Sequence, residues 1–212
     1  MQYFFEKHIR PTIVNNNFKD ICEIGVMKGD NTNRILTIPQ VNCYLIDPCW
    51  ETDLIEVYKN VHRVKVLKGL SLNILTEISF QFDCILIDGD HNWYTVFNEL
   101  RLINDRNLLR DGGVIFLHDV GWPYGRRDIY YTPDAIPSAF RHPFAKKGII
   151  RDQSELSSKT NFNNHRNNAL YEGGENNGVL TAVEDFLKIH GDQYHFSCIQ
   201  EQHGLGILKR KS

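Results

Sequence analysis

The stretch Asp20-Ile21-Cys22-Glu23-Ile24-Gly25-Val26-Met27-Lys28-Gly29-Asp30 decides the fold. An apolar run of one strand's length passes directly into two glycines and then into helical spacing over residues 31–36, the order of a strand, a tight turn and a crossover helix. Glycines at 25 and 29 let the backbone turn sharply and approach a ligand, and the free N–H groups of the next helix face the same place. Such a pair of glycines also serves packing alone in many α/β proteins, so the stretch speaks more firmly for fold than for function.

Working outward, further strand-like runs occupy residues 43–47, 64–67, 84–88 and 114–118, separated by helical spacing over 53–60, 72–78 and 94–109. Strands alternating with helices predict right-handed crossovers and a doubly wound, mostly parallel α/β sheet of the Rossmann-like type. The runs at 84–88 and 114–118 are continuously apolar, as central parallel strands are, and each ends in polar residues on the carboxyl edge. Upstream, residues 3–9 predict a short helix ended or bent by Pro11. Downstream, residues 121–178 are rich in Asn, Pro, Gly and Arg and read as a lid or binding excursion inserted after the fifth strand. A helix over 179–190, stopped by Gly191, follows, and runs at 195–199 and 206–209 predict an antiparallel edge. The expectation is one domain spanning 1–212.

Charge narrows the partners. With 24 basic and 26 acidic residues interspersed, the net charge of -2 provides no global field for nucleic acid or an anionic membrane, and Lys209-Arg210-Lys211 is too short to act as a basic patch. A small molecule is the expected partner, and a homodimer is compatible with this composition. Cys22, Cys43, Cys49, Cys84 and Cys198 are odd in number and form no C-x-x-C pair, which suggests reduced thiols and a cytoplasmic setting. No uninterrupted apolar stretch near Lys7 and Arg10 predicts a signal peptide or membrane span.

Asp47 ends the second strand-like run about 20 residues beyond the glycine turn, where a carboxylate accepts hydrogen bonds from both hydroxyls of a ribose. The glycine pattern is E-x-G-x-x-x-G and lacks the third glycine of a pyrophosphate cradle. A nucleoside without phosphate fits best.

At these residues the chain resembles the class I S-adenosylmethionine-dependent methyltransferases, over roughly 18–119. The resemblance implies that Glu23, Gly25 and Gly29 line the methionine part of the cofactor, that Asp47 holds its ribose, and that Gly69-Leu70-Ser71 borders the adenine. Trp50 either covers an adenine face or fills the core. Ile87-Asp88-Gly89-Asp90-His91 and Asp111-Gly112-Gly113-Val114-Ile115-Phe116-Leu117-His118-Asp119 are similar to the small-molecule O-methyltransferases that include sugar- and macrolide-modifying enzymes. That similarity implies a divalent metal, Mg²⁺ or another, on Asp88 and Asp119. His118 stands at a metal position that is often acidic, and Val120 where catechol-type relatives carry an amide ligand. Asp88 would then face cofactor, metal and acceptor together.

Methyl transfer is an in-line displacement on a sulfonium, so an acceptor oxygen must lose its proton about 3 Å from the methyl carbon. A bound cation lowers that hydroxyl's pKa; without one, His91 or His118 is the base. Asp88, His91, His118 and Asp119 are therefore the expected catalytic group. Trp122, Tyr124, Arg126 and Arg127 read either as a clamp for a ring-shaped or acidic acceptor or as ordinary loop residues with Arg–Asp pairs. The leading expectation is O-methylation of a small hydroxylated metabolite, with N-methylation a close variant. A nicotinamide oxidoreductase and a non-catalytic nucleoside-binding subunit are the readings from other classes.

Overall fold

The computed structural model describes all 212 residues. Five parallel strands are β1 (Asp20–Ile24), β2 (Asn42–Asp47), β3 (Val64–Lys68), β4 (Phe82–Ile87) and β5 (Leu109–His118). The small antiparallel strands β6 (Ile129–Tyr130), β7 (Phe144–Ala145) and β8 (Asn167–Ala169) form a separate sheet in the excursion, and β9 (Tyr194–Ile199) and β10 (Leu205–Arg210) close the main one. The helices are α1 (Arg10–Asn15), α2 (Asp30–Ile35), α3 (Leu54–Tyr58), α4 (Ser71–Glu77), α5 (Trp93–Asp105) and α6 (Val179–His190).

The main sheet runs β3-β2-β1-β4-β5-β10-β9, with β10 antiparallel to both neighbours, as the edge pattern predicted. The chain travels outward from β1 through β2 to β3 and returns to β4 on the other side of β1. The switch point therefore lies between β1 and β4, and the crevice beyond their carboxyl ends is where open α/β sheets take ligands.

Every residue of β4 is buried because both sheet faces are covered. Along β4 and β5, Ile85, Ile87, Ile115 and Leu117 point toward α5 and α6, whereas Cys84, Leu86, Val114 and Phe116 point toward the amino-terminal helical segment and α2. All five cysteines are free thiols, and no helix is long and apolar enough to cross a membrane.

Two local expectations change. Pro11 does not stop the first helix: a tight turn over Gln2–Phe4 and a widened, π-type turn over Phe5–Ile9 run into α1, with Pro11 in its first turn. The π-type turn ahead of it closes with the Arg10 N–H donating to the Phe5 carbonyl, and Pro11, which has no N–H to place, follows at once. Burial of Phe4, Phe5, Ile9 and Ile13 holds the segment on the sheet.

The excursion, in turn, is a folded unit. Its sheet has the order β6-β8-β7, and its apolar cluster comprises only Tyr124, Ile129 and Ile149. Hydrogen bonds supply what the cluster lacks. Asp128 Oδ1 accepts from the backbone N–H groups of Trp93 and Gly178, both at 2.7 Å, and Oδ2 accepts from the Tyr130 hydroxyl at 2.8 Å. One carboxylate thus ties the start of α5 to the start of α6, where helix N-termini favour negative charge.

Candidate active site

At the switch point the turns after β1 and β4 meet backbone to backbone. Gly25 has φ +81°, and a Cβ there would stand 2.3 Å from Gly89 Cα, so only glycine fits. Gly29, at φ +85°, caps α2, and a Cβ would collide with the Tyr58 hydroxyl at 2.1 Å. It serves packing and does not line the cleft.

A cleft of about 240 Å³ opens beyond the strand ends, lined by Gly25 and Met27 after β1, Asp47 and Trp50 after β2, Gly69 and Ser71 after β3, and Asp88, Gly89 and Asp90 after β4. Tyr131, Thr132, Ala135 and Arg166 roof it from the excursion. Trp50 is 66% exposed, which removes the core-filling reading and leaves its ring free at the cleft. The Asp47 carboxylate also accepts from the Val26, Met27 and Cys49 N–H groups at 2.8, 3.0 and 2.6 Å, so it shapes the glycine turn as well as facing the cleft.

Glu23 sits one layer behind. It is buried and absent from the cleft wall, accepts from the Thr32 hydroxyl at 2.5 Å, and leaves Oε1 without a partner. Burial pushes its carboxyl up to about 8 against the hydrogen bond from Thr32. The resemblance implied that Glu23 lines the methionine part of the cofactor; in the structure it lies beneath the turn, behind the residues that line the cleft.

Beside the cleft, Asp88, His91, His118 and Asp119 converge, with one ligand-capable atom of each lying within 4.8 Å of the others. His118 Nδ1 stands 3.1 Å from Asp88 Oδ1 and 3.3 Å from Asp119 Oδ2; His91 Nδ1 stands 3.2 Å from Asp119 Oδ2, and its Nε2 3.5 Å from Asp88 Oδ1. Asp88 belongs to both cluster and cleft. Asp119 adopts φ +60°, a left-handed conformation uncommon outside glycine, and so aims its carboxylate at the group from a constrained turn.

Burial opposes charge on His118, but hydrogen bonds to Asp119 and Asp88 outweigh it and push the imidazole up to about 9. Asp88 and Asp119 are held below the usual carboxylate range because the two histidines outweigh their desolvation. In this state His118 is a cation, not a base. Both His91 nitrogens are buried yet make no hydrogen bond of good geometry. One half-buried and one buried acid with two imidazoles, one of them unsatisfied, form a donor set that a divalent cation fits, taking the place of the protons.

The expected acceptor clamp divides. The Tyr124 ring stacks on His91 with centroids 6.1 Å apart, and its hydroxyl donates to Asn168 Oδ1 at 3.1 Å. Trp122 stacks on Phe162 at 5.2 Å and leaves Nε1 buried without a partner. The two arginines turn inward to the scaffold. Arg126 pairs with both Glu184 oxygens on α6 at 2.6 Å, and fully buried Arg127 donates to the Ala169 and Ser154 carbonyls, both at 2.6 Å. Neither lines the cleft, and Arg166, which the pattern did not single out, is its only basic wall residue. Arg166 lies over the Tyr131 ring, 5.2 Å from its centroid.

Glu99 was also missed. Buried on α5, it accepts from the Ser71 hydroxyl at 2.5 Å and lines the cleft. Its sequence signal is position: three residues after Val96 and four before Ile103, it occupies the stripe that α5 buries.

A Rossmann-like sheet with a glycine turn, an acid at the end of β2 and a polar cluster at the carboxyl edge has the layout in which open α/β sheets take nucleoside ligands. Residues 22–120 match the family model described as a methyltransferase domain. That match spans just under half of the chain. In fold it is similar to a Staphylococcus aureus protein provisionally described as a caffeoyl-CoA O-methyltransferase, at 16% identity and TM-score 0.56, over 95% of this chain and 80% of that one. It is similar also to an S-adenosylhomocysteine-bound Podospora anserina methyltransferase, at 15% identity and TM-score 0.58, over 95% and 75% of the two chains. A third similar structure, a Klebsiella pneumoniae protein provisionally described as an O-methyltransferase, shares 13% identity at TM-score 0.56, over 94% and 76%. No curated protein sequence matches the chain.

Proposed function

We propose that the protein transfers the methyl group of S-adenosylmethionine to a hydroxyl oxygen of a small cytoplasmic molecule, with a divalent cation held by Asp88, His118 and Asp119 and completed by His91. The observation that carries this reading is Asp88, which faces the cofactor cleft on one side and the four-residue cluster on the other. A hydroxyl placed at the cluster is therefore next to where the methyl group would be delivered. The O-methyltransferase descriptions of two similar structures agree with it.

The residues divide the work. Gly25 and Asp47 seat the nucleoside; Trp50 and Ser71 bound the base; Tyr131 and Thr132 keep water from the cofactor's reactive side. The cation, when bound, lowers the acceptor hydroxyl's pKa and orients it. Asp88 and Asp119 supply the negative charge that holds the cation, and the Tyr124 ring fixes the plane of His91. Two oxygen and two nitrogen donors suit Mn²⁺, Fe²⁺, Co²⁺ or Zn²⁺ better than Mg²⁺, which prefers oxygen alone.

The test is transfer of labelled methyl from S-adenosylmethionine to a panel of hydroxylated acceptors, with each of these metals or with chelator. Labelled product that chelation abolishes is expected, and Asp119→Asn should lower turnover at least about 100-fold while cofactor affinity stays within about threefold. Turnover indifferent to both chelator and Asp119→Asn would overturn the metal-assisted reading.

A further inference from the structure

The roof of the cleft carries one charge that no side chain balances. Arg166 is the only basic residue in a wall that holds five acidic ones, Asp47, Glu51, Asp88, Asp90 and Glu99. Its guanidinium nevertheless makes no ion pair and no side-chain hydrogen bond, and lies over the Tyr131 ring, 5.2 Å from the centroid. Elsewhere in the excursion Arg126 is paired with Glu184, Arg127 donates to carbonyls and Arg141 is paired with Asp134. Of the two excursion arginines left on aromatic rings, Arg151 on Trp122 and Arg166 on Tyr131, only Arg166 lines the cleft.

Backbone pairing fixes where this charge stands. β6 and β8 are antiparallel with Tyr130 opposite Asn167, so the next pair in register is Tyr131 opposite Arg166, and the two side chains meet across the strands. Buried Asn168 follows in β8 and donates to the Lys147 and Asn163 carbonyls, which ties that strand to the rest of the excursion. Tyr131 in turn reaches the cluster, its ring meeting the His91 ring edge-on with centroids 6.1 Å apart. One tyrosine ring thus separates the guanidinium from the four residues Asp88, His91, His118 and Asp119.

We propose that Arg166 selects the acceptor, a small hydroxylated carboxylate whose carboxylate pairs with the Arg166 guanidinium while its hydroxyl lies at the cluster. The proposal rests on the O-methyl transfer proposed above and names the acceptor class for it. A guanidinium lying over a ring keeps its N–H edge free, and that planar fork matches a carboxylate with two parallel hydrogen bonds. In a wall of acids an anion is repelled everywhere but beside the one guanidinium, so a single residue sets both the charge and the orientation of the acceptor. One cation matches the single charge of a carboxylate, whereas a phosphate monoester would bring a second charge without a partner. The acids by themselves suit S-adenosylmethionine, whose sulfonium and ammonium outnumber its one carboxylate. The transfer itself is unchanged: the O–CH3 bond forms as the CH3–S bond breaks, the hydroxyl proton passes to water, and the acceptor's carboxylate takes no part.

The experiment measures transfer of labelled methyl to matched acceptors that differ only in a carboxylate or its uncharged carboxamide: protocatechuate and its amide, mandelate and mandelamide, glycolate and glycolamide. In wild type the carboxylate of at least one pair should be preferred at least about tenfold in kcat/KM, chiefly through KM. Arg166→Gln, which removes the charge, should bring that ratio to within about threefold of one. Arg166→Lys, which keeps the charge without the fork, should leave it in between. Affinity for S-adenosylhomocysteine, followed by calorimetry, should change less than about threefold in both variants. Arg166 is exposed, so neither substitution empties a buried site. A wild type that treats every pair alike or prefers the carboxamides overturns the proposal, and so does a ratio that survives Arg166→Gln. A fall in S-adenosylhomocysteine affinity as large as the fall in the ratio also overturns it, because the guanidinium would then hold the cofactor's own carboxylate. Transfer to neutral acceptors alone overturns the acidic acceptor and leaves the methyltransferase standing, whereas no transfer to any acceptor overturns the methyltransferase reading itself.

Discussion

The main sheet and the excursion over 121–178 are held together by different physics. The sheet buries two apolar clusters, of 23 and 19 residues, on its two faces, whereas the cluster in the excursion has three. The excursion is organised instead by directional bonds from a few buried polar side chains: Asp128 to both helix starts, Arg127 to two loop carbonyls, and Asn168 Nδ2 to the Lys147 and Asn163 carbonyls. Apolar packing is spread over many replaceable contacts, while each polar contact has one partner and one geometry. The difference suits the division of labour. A platform that keeps Asp47, Asp88 and Asp119 at fixed strand ends gains from distributed packing, and a roof over the cleft is set by bonds that single substitutions can rearrange.

The largest expected effect breaks the excursion alone. Asp128→Ala strips acceptors from two buried backbone N–H groups and the Tyr130 hydroxyl, a loss of roughly 3–9 kcal/mol at about 1–3 kcal/mol for each orphaned donor. Limited proteolysis should then cut within 121–178 while β1 to β5 stay protected. Leu86→Ala, fully buried in β4, should cost about 2–5 kcal/mol but lower the unfolding temperature of the whole protein without a preferred cut site. Preferential cutting of the excursion in Leu86→Ala, or uniform protection in Asp128→Ala, would erase the distinction between the two regions.

A second prediction sharpens the contrast from the sheet's side, where Glu23 is a polar group lacking the full set of partners that the excursion provides. Its ordinary pKa of 4.5 rises to about 8 on folding. Below pH 4.5 both states carry the proton and the shift contributes nothing. Between 4.5 and 8 the unfolded chain releases a proton that the folded chain keeps, so stability falls with rising pH, and above 8 the full penalty remains. Glu23→Gln cannot ionise and brings an amide donor close to Asn31, whose Oδ1 is buried without a partner. Its free energy of unfolding should exceed that of wild type by a margin that grows from pH 5 to pH 8, by about 2–4 kcal/mol at the upper end. A margin that is flat or shrinks over this range would mean that Glu23 ionises freely in the folded protein.

The same division explains what could be read from the residues alone. Continuous apolar runs at 84–88 and 114–118 demand burial on both faces whatever surrounds them, so the order of strands and the acids at their ends were legible. Gly25 was legible as a turn, though its reason, contact with Gly89, lies 64 residues away in sequence. The excursion was not legible as a folded unit because its decisive partners are equally remote: Asp128 finds Trp93 at 35 residues' separation and Gly178 at 50. Arg126 and Arg127 looked like a clamp because an arginine pair beside aromatics suits acidic ligands as well as it suits scaffold carboxylates and carbonyls. Glu99 was overlooked because glutamate is an ordinary helix residue, and only its place in the apolar stripe of α5 betrays it.

The smallest effect belongs to the bond joining the two regions at the surface. Arg126 grips Glu184 with two hydrogen bonds, yet the side chains are 40% and 44% exposed, so water and salt screen the attraction. Arg126→Ala should therefore cost no more than about 1 kcal/mol, less in high salt, although the pair is bidentate and links the excursion to α6. Its neighbour Arg127 has the same charge but no exposed surface, and its guanidinium satisfies carbonyls that would otherwise be buried unpaired. Arg127→Ala should cost several times more and, like Asp128→Ala, expose the excursion to protease. A double mutant of Arg126→Ala with Glu184→Ala should cost little more than either single mutant, because removing one partner already forfeits the whole attraction. Equal losses at 126 and 127 would show that the helix link, rather than the buried hydrogen-bond network, is what holds the roof over the cleft.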